Sequence, residues 1–312
     1  MLRYLVIRLL RALLTLIAIV SFAFIVLRAS GDPAMLIMSI DAPPAAIAAF
    51  RKAWGLDQSL WVQYLRYFAN VFNGSLGVSM RDGRPAFDIV CERIPATLLI
   101  TVPALLITLL IGIPTGIFAA LRRNSVADRL TMLVSVLGYS MPSFVLGLVL
   151  VLVFAVLLNW LPSGGYGGWQ NVILPAVALG TGGAAAIARF SRSAMLEVLG
   201  QPYIRAARAK GLLWRAVVTR HALPNAAIPT VTIVGFMIGS LVAGAVVIES
   251  VFSWPGIGRL LVVAVATRDL AVVQTIMILV GLAMIGANLT VDLLYGWIDP
   301  RLRAPAAGGG GH

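Results

Sequence analysis

The sequence predicts an all-α membrane protein with six transmembrane helices and cytoplasmic N- and C-termini. Three observations carry this. Of 312 residues, 60% are apolar and only 12% are charged, about half the charge of a soluble domain. The charge-free stretches are long enough to cross a bilayer, which takes about 20 apolar residues per helix. The lysines and arginines gather in alternate connections, as cytoplasmic loops require.

The first span is residues 12–27, 16 uncharged positions between Arg11 and Arg28, and its flanking arginines extend it by snorkelling. A cleaved signal peptide competes here, with a basic start, an apolar core and Ala29-Ser30-Gly31. Its removal would put the later basic loops on inconsistent sides. Residues 94–121 give 28 uncharged positions and the second span. Between Arg129 and Arg189 lie 59 residues without a charge, split by the turn-rich 159–168 into spans three and four. Residues 222–248 supply the fifth and 270–291 the sixth.

With the N-terminus inside, the cytoplasmic segments hold 15 cations against Asp128, Glu197 and Asp299. The external segments hold 9 cations against 7 acids. The formal net charge of +12 therefore sits almost wholly on one face, as an orientation signal. It is no nucleic-acid signature, because the cations lie in loops between apolar spans and no helix presents a basic stripe to a groove. The expected division is an N-terminus and first span at 1–30, then an external segment at 31–93. A five-helix core at 94–303 follows, with a cytoplasmic loop at 196–224 and an external segment at 250–270. The Gly-rich tail 304–312 reads as an appended linker.

Several chemistries are excluded. A single cysteine, Cys91, permits no disulfide framework, and two histidines give no His-rich metal site. Neither lysine, Lys52 or Lys210, sits in a Gly-x4-Gly-Lys-Ser/Thr loop, so the chain cannot hydrolyse ATP by that route. The carboxylates nearest the spans, Glu249 and Asp292, lie near span ends and read as interfacial; a proton carrier would keep such groups inside its spans for use. His221, the one non-terminal histidine, lies at a loop edge, away from any intramembrane nucleophile.

What the spans do contain is small residues and helix breakers. Gly112 and Gly116 in span two, and Gly235 and Gly239 in span five, have the spacing that lets helix backbones approach. Span three carries Gly138-Tyr-Ser-Met-Pro-Ser143, a proline break with hydroxyls. It makes Tyr139, Ser140, Pro142 and Ser143 candidates for lining a path, against a tightly packed bundle with none. Trp61, Tyr64, Tyr67, Phe68 and Phe72 fall near one helical face outside the membrane, an interfacial anchor or a docking surface. Residues 255–269 read as an external turn and amphipathic helix, either a gate with Glu249 and Trp254 at its base or a loop on the bundle.

The loop between spans four and five is the most informative segment. Pro202 suits a first helical turn, the Ala/Arg/Lys run that follows favours helix, and Gly211 suits its C-terminal stop. A second short helix then interleaves Leu212, Leu213, Trp214 and Val217 with Arg215 and Arg220, until Pro224 ends it. The product is a helix–turn–helix knob, basic and apolar at once. It would rest on acidic lipid or dock a partner protein.

Ala206-Ala207, three residues, Gly211, then eleven residues to Leu223-Pro224 resembles the EAA loop of ABC importer membrane subunits. Arg205 stands where that family's leading Glu stands, and His221 where an aliphatic residue is usual, both as in its peptide-type branch. Gly31-Asp-Pro33, Gly55-Leu-Asp-Gln58, Gln63-Tyr-Leu65, Gly74-Ser-Leu-Gly77, Arg93-Ile-Pro-Ala-Thr97 and Pro142-Ser-Phe144 resemble the same branch. So do Glu249-Ser-Val-Phe-Ser-Trp-Pro-Gly-Ile-Gly-Arg259 and Asp299-Pro-Arg301. The chain is thus similar to the first of the two permease partners of dipeptide/oligopeptide importers.

The resemblance implies a type I ABC importer permease in a bacterial inner membrane, catalytically silent and without a cofactor of its own. A second homologous permease would share the path, two ATP-binding subunits would hold ATP and Mg, and an external solute-binding protein would deliver peptides. Arg205, Ala206, Ala207, Arg208, Lys210, Gly211, Leu212, Leu223 and Pro224 would form the ATPase-coupling contact. The competing class is a self-contained channel or proton-coupled carrier that dimerises through its GxxxG faces.

Overall fold

A computed structural model describes residues 2–38 and 42–298. The helices run α1 (Leu2–Ala29), α2 (Ala34–Ile37), α3 (Pro44–Ala53), α4 (Leu60–Phe72), α5 (Ala86–Cys91) and α6 (Ile94–Leu121). Then come α7 (Val126–Ser140), α8 (Ser143–Leu150) with a π-helical extension Val151–Leu157, and α9 (Trp169–Leu199). The rest are α10 (Pro202–Ala209), α11 (Trp214–Val217) with a π-helical stretch Val218–Ala222, α12 (Leu223–Val251), α13 (Ile257–Ala266) and α14 (Leu270–Ile298). Among the described residues the only β pairing is an isolated bridge between Val78 and Pro85. Each expected span falls on helix, with residues 158–168 between the third and fourth outside it. Among the described residues Ala86–Leu121, Trp169–Leu199 and Leu270–Ala287 are long and apolar enough to cross a membrane, and α7 with α8 and its extension, bent by 98°, reach that length and apolarity only when taken together. The Asp292 side chain, the closing Asp299-Pro-Arg301 and the 304–312 tail lie outside what the structure describes.

The chain forms two compact units, one of Met1–Leu98 with Trp254–Ile285, the other of Leu99–Ser253 with the chain from Gly286 onward. In the first, Ala23, Phe24 and Leu27 of α1 meet Ile89 and Val90 of α5 and Val273 and Ile276 of α14 in one apolar core. Helix α4, capped by Ser59, lays Tyr64 edge-on to Phe24 at 5.5 Å and pairs its hydroxyl with that of Ser21 at 2.7 Å. Trp254 is fully buried and donates from Nε1 to the Ala96 carbonyl at 2.7 Å. The backbone N–H of Ile257, opening α13, donates to Thr97 Oγ1 at 2.8 Å. The expected turn and helix at 255–269 is therefore present, anchored at its first turn.

In the second unit α9 is the central element, buried along Leu174–Met195 on the faces it turns to its neighbours. Glycines let it approach α6. A Cβ at Gly112 would stand 2.7 Å from the Ala184 carbonyl oxygen, one at Gly180 2.7 Å from that of Ala104, and one at Gly116 would collide with that of Ala188. Thr108 adds a hydroxyl bond to the Gly180 carbonyl at 3.0 Å. Asp128, buried at the start of α7, accepts from Arg192 Nε at 2.6 Å and Nη2 at 2.7 Å. It also accepts the Asn124 backbone N–H at 2.9 Å, so α7 is pinned to α9 by a fully bonded carboxylate. Glu249 stands in the last turn of α12 and is fully buried against protein.

Candidate functional site

The knob between α9 and α12 forms as its residues dictate. Gln201 is extended and Pro202 occupies the first turn of α10, where its missing N–H costs nothing. The helix is amphipathic, so Ile204 and Ala207, three apart, enter a core with Ala120, Ala194, Met195, Val217, Val218, Ala222 and Ala226. That core draws on α6, α9 and α12, so the ends of three helices back the knob. Arg205, Ala206, Arg208 and Lys210 lie on the exposed side. The Lys210 N–H closes on the Ala206 carbonyl at 3.0 Å and that of Gly211 on Arg208 at 2.9 Å. Gly211 takes φ +80°, a left-handed stop that a residue with a Cβ adopts only under strain.

Beyond that stop the chain exposes its apolar residues. Leu212 and Trp214 are exposed, and Leu213 is 80% exposed. The Arg208 guanidinium lies over the Trp214 ring, 4.5 Å from its centroid, a cation–π contact that ties the two arms of the turn together. The result is a convex tip, apolar at Leu213 and cationic at Arg205, Arg208 and Lys210, on a rigid base. Such a tip is complementary to an apolar socket with an acidic rim.

The structure places Ala207 and corrects the reading of Pro224. Ala207 turns into the core and spaces α10 from the bundle, because its register with Ile204 buries it. Pro224 does not end the second short helix. The helical path runs from Trp214 through the π-helical turn into α12, with Pro224 in the first turn of α12. The wider turn accommodates a residue without an N–H, and Asn225 Nδ2 supplies a donor to the His221 carbonyl at 2.7 Å. Leu223 is half-buried against the same core and Pro224 is exposed. Leu213 is the prominent residue that motif spacing passes over; its signal is an apolar run directly after a helix-stopping glycine. The Asp128–Arg192 pair was also missed, although Ser125-x-x-Asp128 has the spacing of a helix-start box.

The path candidates divide. Tyr139, Ser140 and Pro142 are exposed and Ser143 half-exposed at the 98° bend between α7 and α8. Pro142 is the α8 cap residue, with an extended ψ of 137°. Arg189 of α9 places its guanidinium 5.5 Å from the Tyr139 ring centroid. Glu249 and Trp254 are instead fully buried. An indole that is enclosed and bonded to a backbone carbonyl is an anchor in this state and offers no surface to a passing molecule. Among the described residues no three His, Cys, Asp or Glu side chains group as a metal site.

Residues 112–304 match the family model described as "Binding-protein-dependent transport system inner membrane component". Residues 1–101 match its N-terminal companion, "Binding-prot-dependent transport system membrane comp, N-term". The chain is 43% identical over 305 residues to the glutathione transport system permease protein GsiC of Escherichia coli strain K12, covering 97% of this chain and 99% of that one. It is 44% identical, with the same coverage, to the protein of that name from Salmonella paratyphi A. Among solved structures, the inward-facing MetNI methionine ABC transporter aligns with TM-score 0.59 over 68% of this chain and 96% of that chain, at 21% identity. That likeness speaks to the fold.

Proposed function

The chain belongs to the inner-membrane components of binding-protein-dependent transport systems, and we propose from that premise that it carries short peptides of the glutathione class. It is a multi-pass permease subunit of an ABC importer. The finer reading gives it a second homologous permease, two ATP-binding subunits gripping the cytoplasmic loops, and an external solute-binding protein. ATP and Mg belong to the ATP-binding subunits, which supply the chemistry that this chain's loops lack. Closure of those subunits displaces the tip at 203–224. Its buried base then levers α9 and α12, so that access to the path alternates. The cargo assignment rests on the relatives' full-length similarity.

The observation that carries the coupling role is the exposed, cation-rimmed Leu213 tip on a core shared by three helix ends. The self-contained carrier finds no support in the glycines of span two. Gly112 and Gly116 are filled by α9 of the same chain, so that face is not available for a dimer. The decisive experiment purifies the chain with its partners and measures ATPase stimulation by binding protein loaded with glutathione, a dipeptide or a longer peptide. Stimulation by one peptide class is expected. Transport by the purified chain alone in liposomes under a proton gradient would sink the reading.

A further inference from the structure

Two hollows in the first unit meet at Arg28, in the last turn of α1. One is an apolar groove of about 450 Å³ between α1 and α4, walled by Phe24, Ile25, Leu60, Trp61 and Tyr64 with Ser21. The other is a polar cavity of about 580 Å³ that includes Asp32, Arg51, Asp57 and Gln63. Arg28 and Leu60 line both. The groove opens on an apolar face, since Phe22 is 67% exposed and Ile25 62% exposed on α1. Trp61, 66% exposed, stacks on Tyr64 with centroids 5.7 Å apart, the amphipathic ring pair found at the level of lipid headgroups.

The polar cavity is equipped for a molecule bearing both charges. Arg28 Nε is buried without a hydrogen-bond partner, and so is the acceptor Gln63 Oε1. Both residues line the cavity, and a buried donor and acceptor left unpaired are costly unless a ligand or water satisfies them. Arg51 is already committed to Asp32, Nε to Oδ2 at 2.6 Å, and Asp32 Oδ1 accepts the Ala34 N–H at 2.9 Å. Asp32 attracts the Arg28 guanidinium without a bond to its Nε, which leaves that Nε to meet an anion, and Asp57 with Gln63 Oε1 to meet a cationic donor. Among the described residues two arginines and two carboxylates line the cavity, a balance that suits a zwitterion better than an anion.

We infer that these hollows together hold one phospholipid with a phosphate and a primary ammonium in its headgroup, phosphatidylethanolamine. The phosphate lies on Arg28, the ammonium donates to Gln63 Oε1 and Asp57, and an acyl chain runs down the groove past Phe24 and Trp61. The lipid wedges between α1 and α4 and fixes the external segment against the span it follows. A quaternary ammonium has no proton to donate to Gln63, and a glycerol headgroup brings no cation to Asp57. The site therefore discriminates among phospholipids of the same chain length.

The test is native mass spectrometry of the delipidated full chain, titrated with phosphatidylethanolamine, phosphatidylcholine and phosphatidylglycerol of matched chains. Phosphatidylethanolamine is expected to bind at least fivefold more tightly than either. Asp57→Asn should abolish that preference, Arg28→Gln and Trp61→Ala should weaken binding of all three lipids, and Trp160→Ala should leave both intact. A thermal melt separates loss of the site from loss of the fold, and Asp57→Asn reports on the ammonium contact should Arg28→Gln unfold. Equal binding of all three lipids, preference for phosphatidylglycerol, or unchanged binding in Trp61→Ala and Asp57→Asn would overturn the assignment. So would displacement of the lipid by a zwitterionic tripeptide, or a lipid-free groove in the assembled importer. The first would make the cavity a cargo site, the second a face for the partner permease.

Discussion

Leu213 and Arg208 stand on opposite sides of one glycine and contribute to function in different ways. Arg208 spends its guanidinium partly on Trp214, which orders the turn. Leu213 is 80% exposed and does no work for the fold. Exposed substitutions away from packing change stability by about 0.5 kcal/mol or less, whereas an apolar anchor in a partner's socket is worth about 2 kcal/mol or more. Leu213→Glu should therefore leave the thermal melt of the chain unchanged and lower ATP-driven transport by at least tenfold in proteoliposomes. Normal transport by that variant would remove Leu213 from the contact. The loop was legible from Ala206-Ala207, Gly211 and Leu223-Pro224 because turn chemistry leaves spacing in the sequence. The inward turn of Ala207 was not, since an alanine reads the same on either face. Only its register with Ile204, settled by the core beneath, decides it.

At the scale of helices, the α6–α9 seam shows what periodicity leaves open. Gly112 and Gly116 announce a close approach, but GxxxG spacing does not say whether the neighbouring helix is in the same chain. Here it is α9, and Gly116 meets the Ala188 carbonyl with no room for a Cβ. Gly116→Leu should part the helices and destabilise the unit by about 1–3 kcal/mol or more, read as a lower melting temperature in detergent with no change in oligomeric state. A shift from dimer to monomer would instead reveal an intermolecular seam. Another corner couples elements through a titrating group. Buried Asp269, between α13 and α14, accepts from Ser79 Oγ at 2.5 Å, and Ser79 in turn accepts the Asp82 N–H at 3.1 Å. Burial holds the Asp269 carboxyl above its ordinary value of 3.8, against the opposing bond from Ser79. A raised folded value means the protonated form is favoured on folding. The stability it contributes is full below about pH 4 and is lost as pH rises through the raised value. Melting between pH 4 and 8 should show that loss in the native chain and a flatter profile in Asp269→Asn; the same slope in both would rule out Asp269 as its source. Nothing in the sequence pairs Ser79 with Asp269, 190 positions apart, because such a contact is set by packing and leaves no local pattern.

For the whole molecule the sequence speaks through charge. Elements survive the passage to structure well: each expected span falls on helix, and the proline of span three becomes a 98° bend between α7 and α8. Sidedness is different, because a fold without its bilayer carries no inside or outside, and the distribution of Lys and Arg must supply it. From that distribution we propose that the loop bearing Leu213 lies in the cytoplasm and the segment bearing Cys91 outside. Cys91 is the only cysteine of the chain and is partly exposed, so it serves as a native reporter. A membrane-impermeant maleimide should label Cys91 in spheroplasts with intact membranes. In a Cys91→Ser background, Leu213→Cys should label only after the membrane is opened. Moving the thiol tests orientation without touching the arginines that set it, since neither residue carries charge. Labelling of Leu213→Cys from outside would reverse the topology, and with it the side on which an ATP-binding subunit could reach the tip. The predicted order of labelling thus joins the charge pattern to the coupling role: the tip can be driven by ATP only if the cations around it have held it inside.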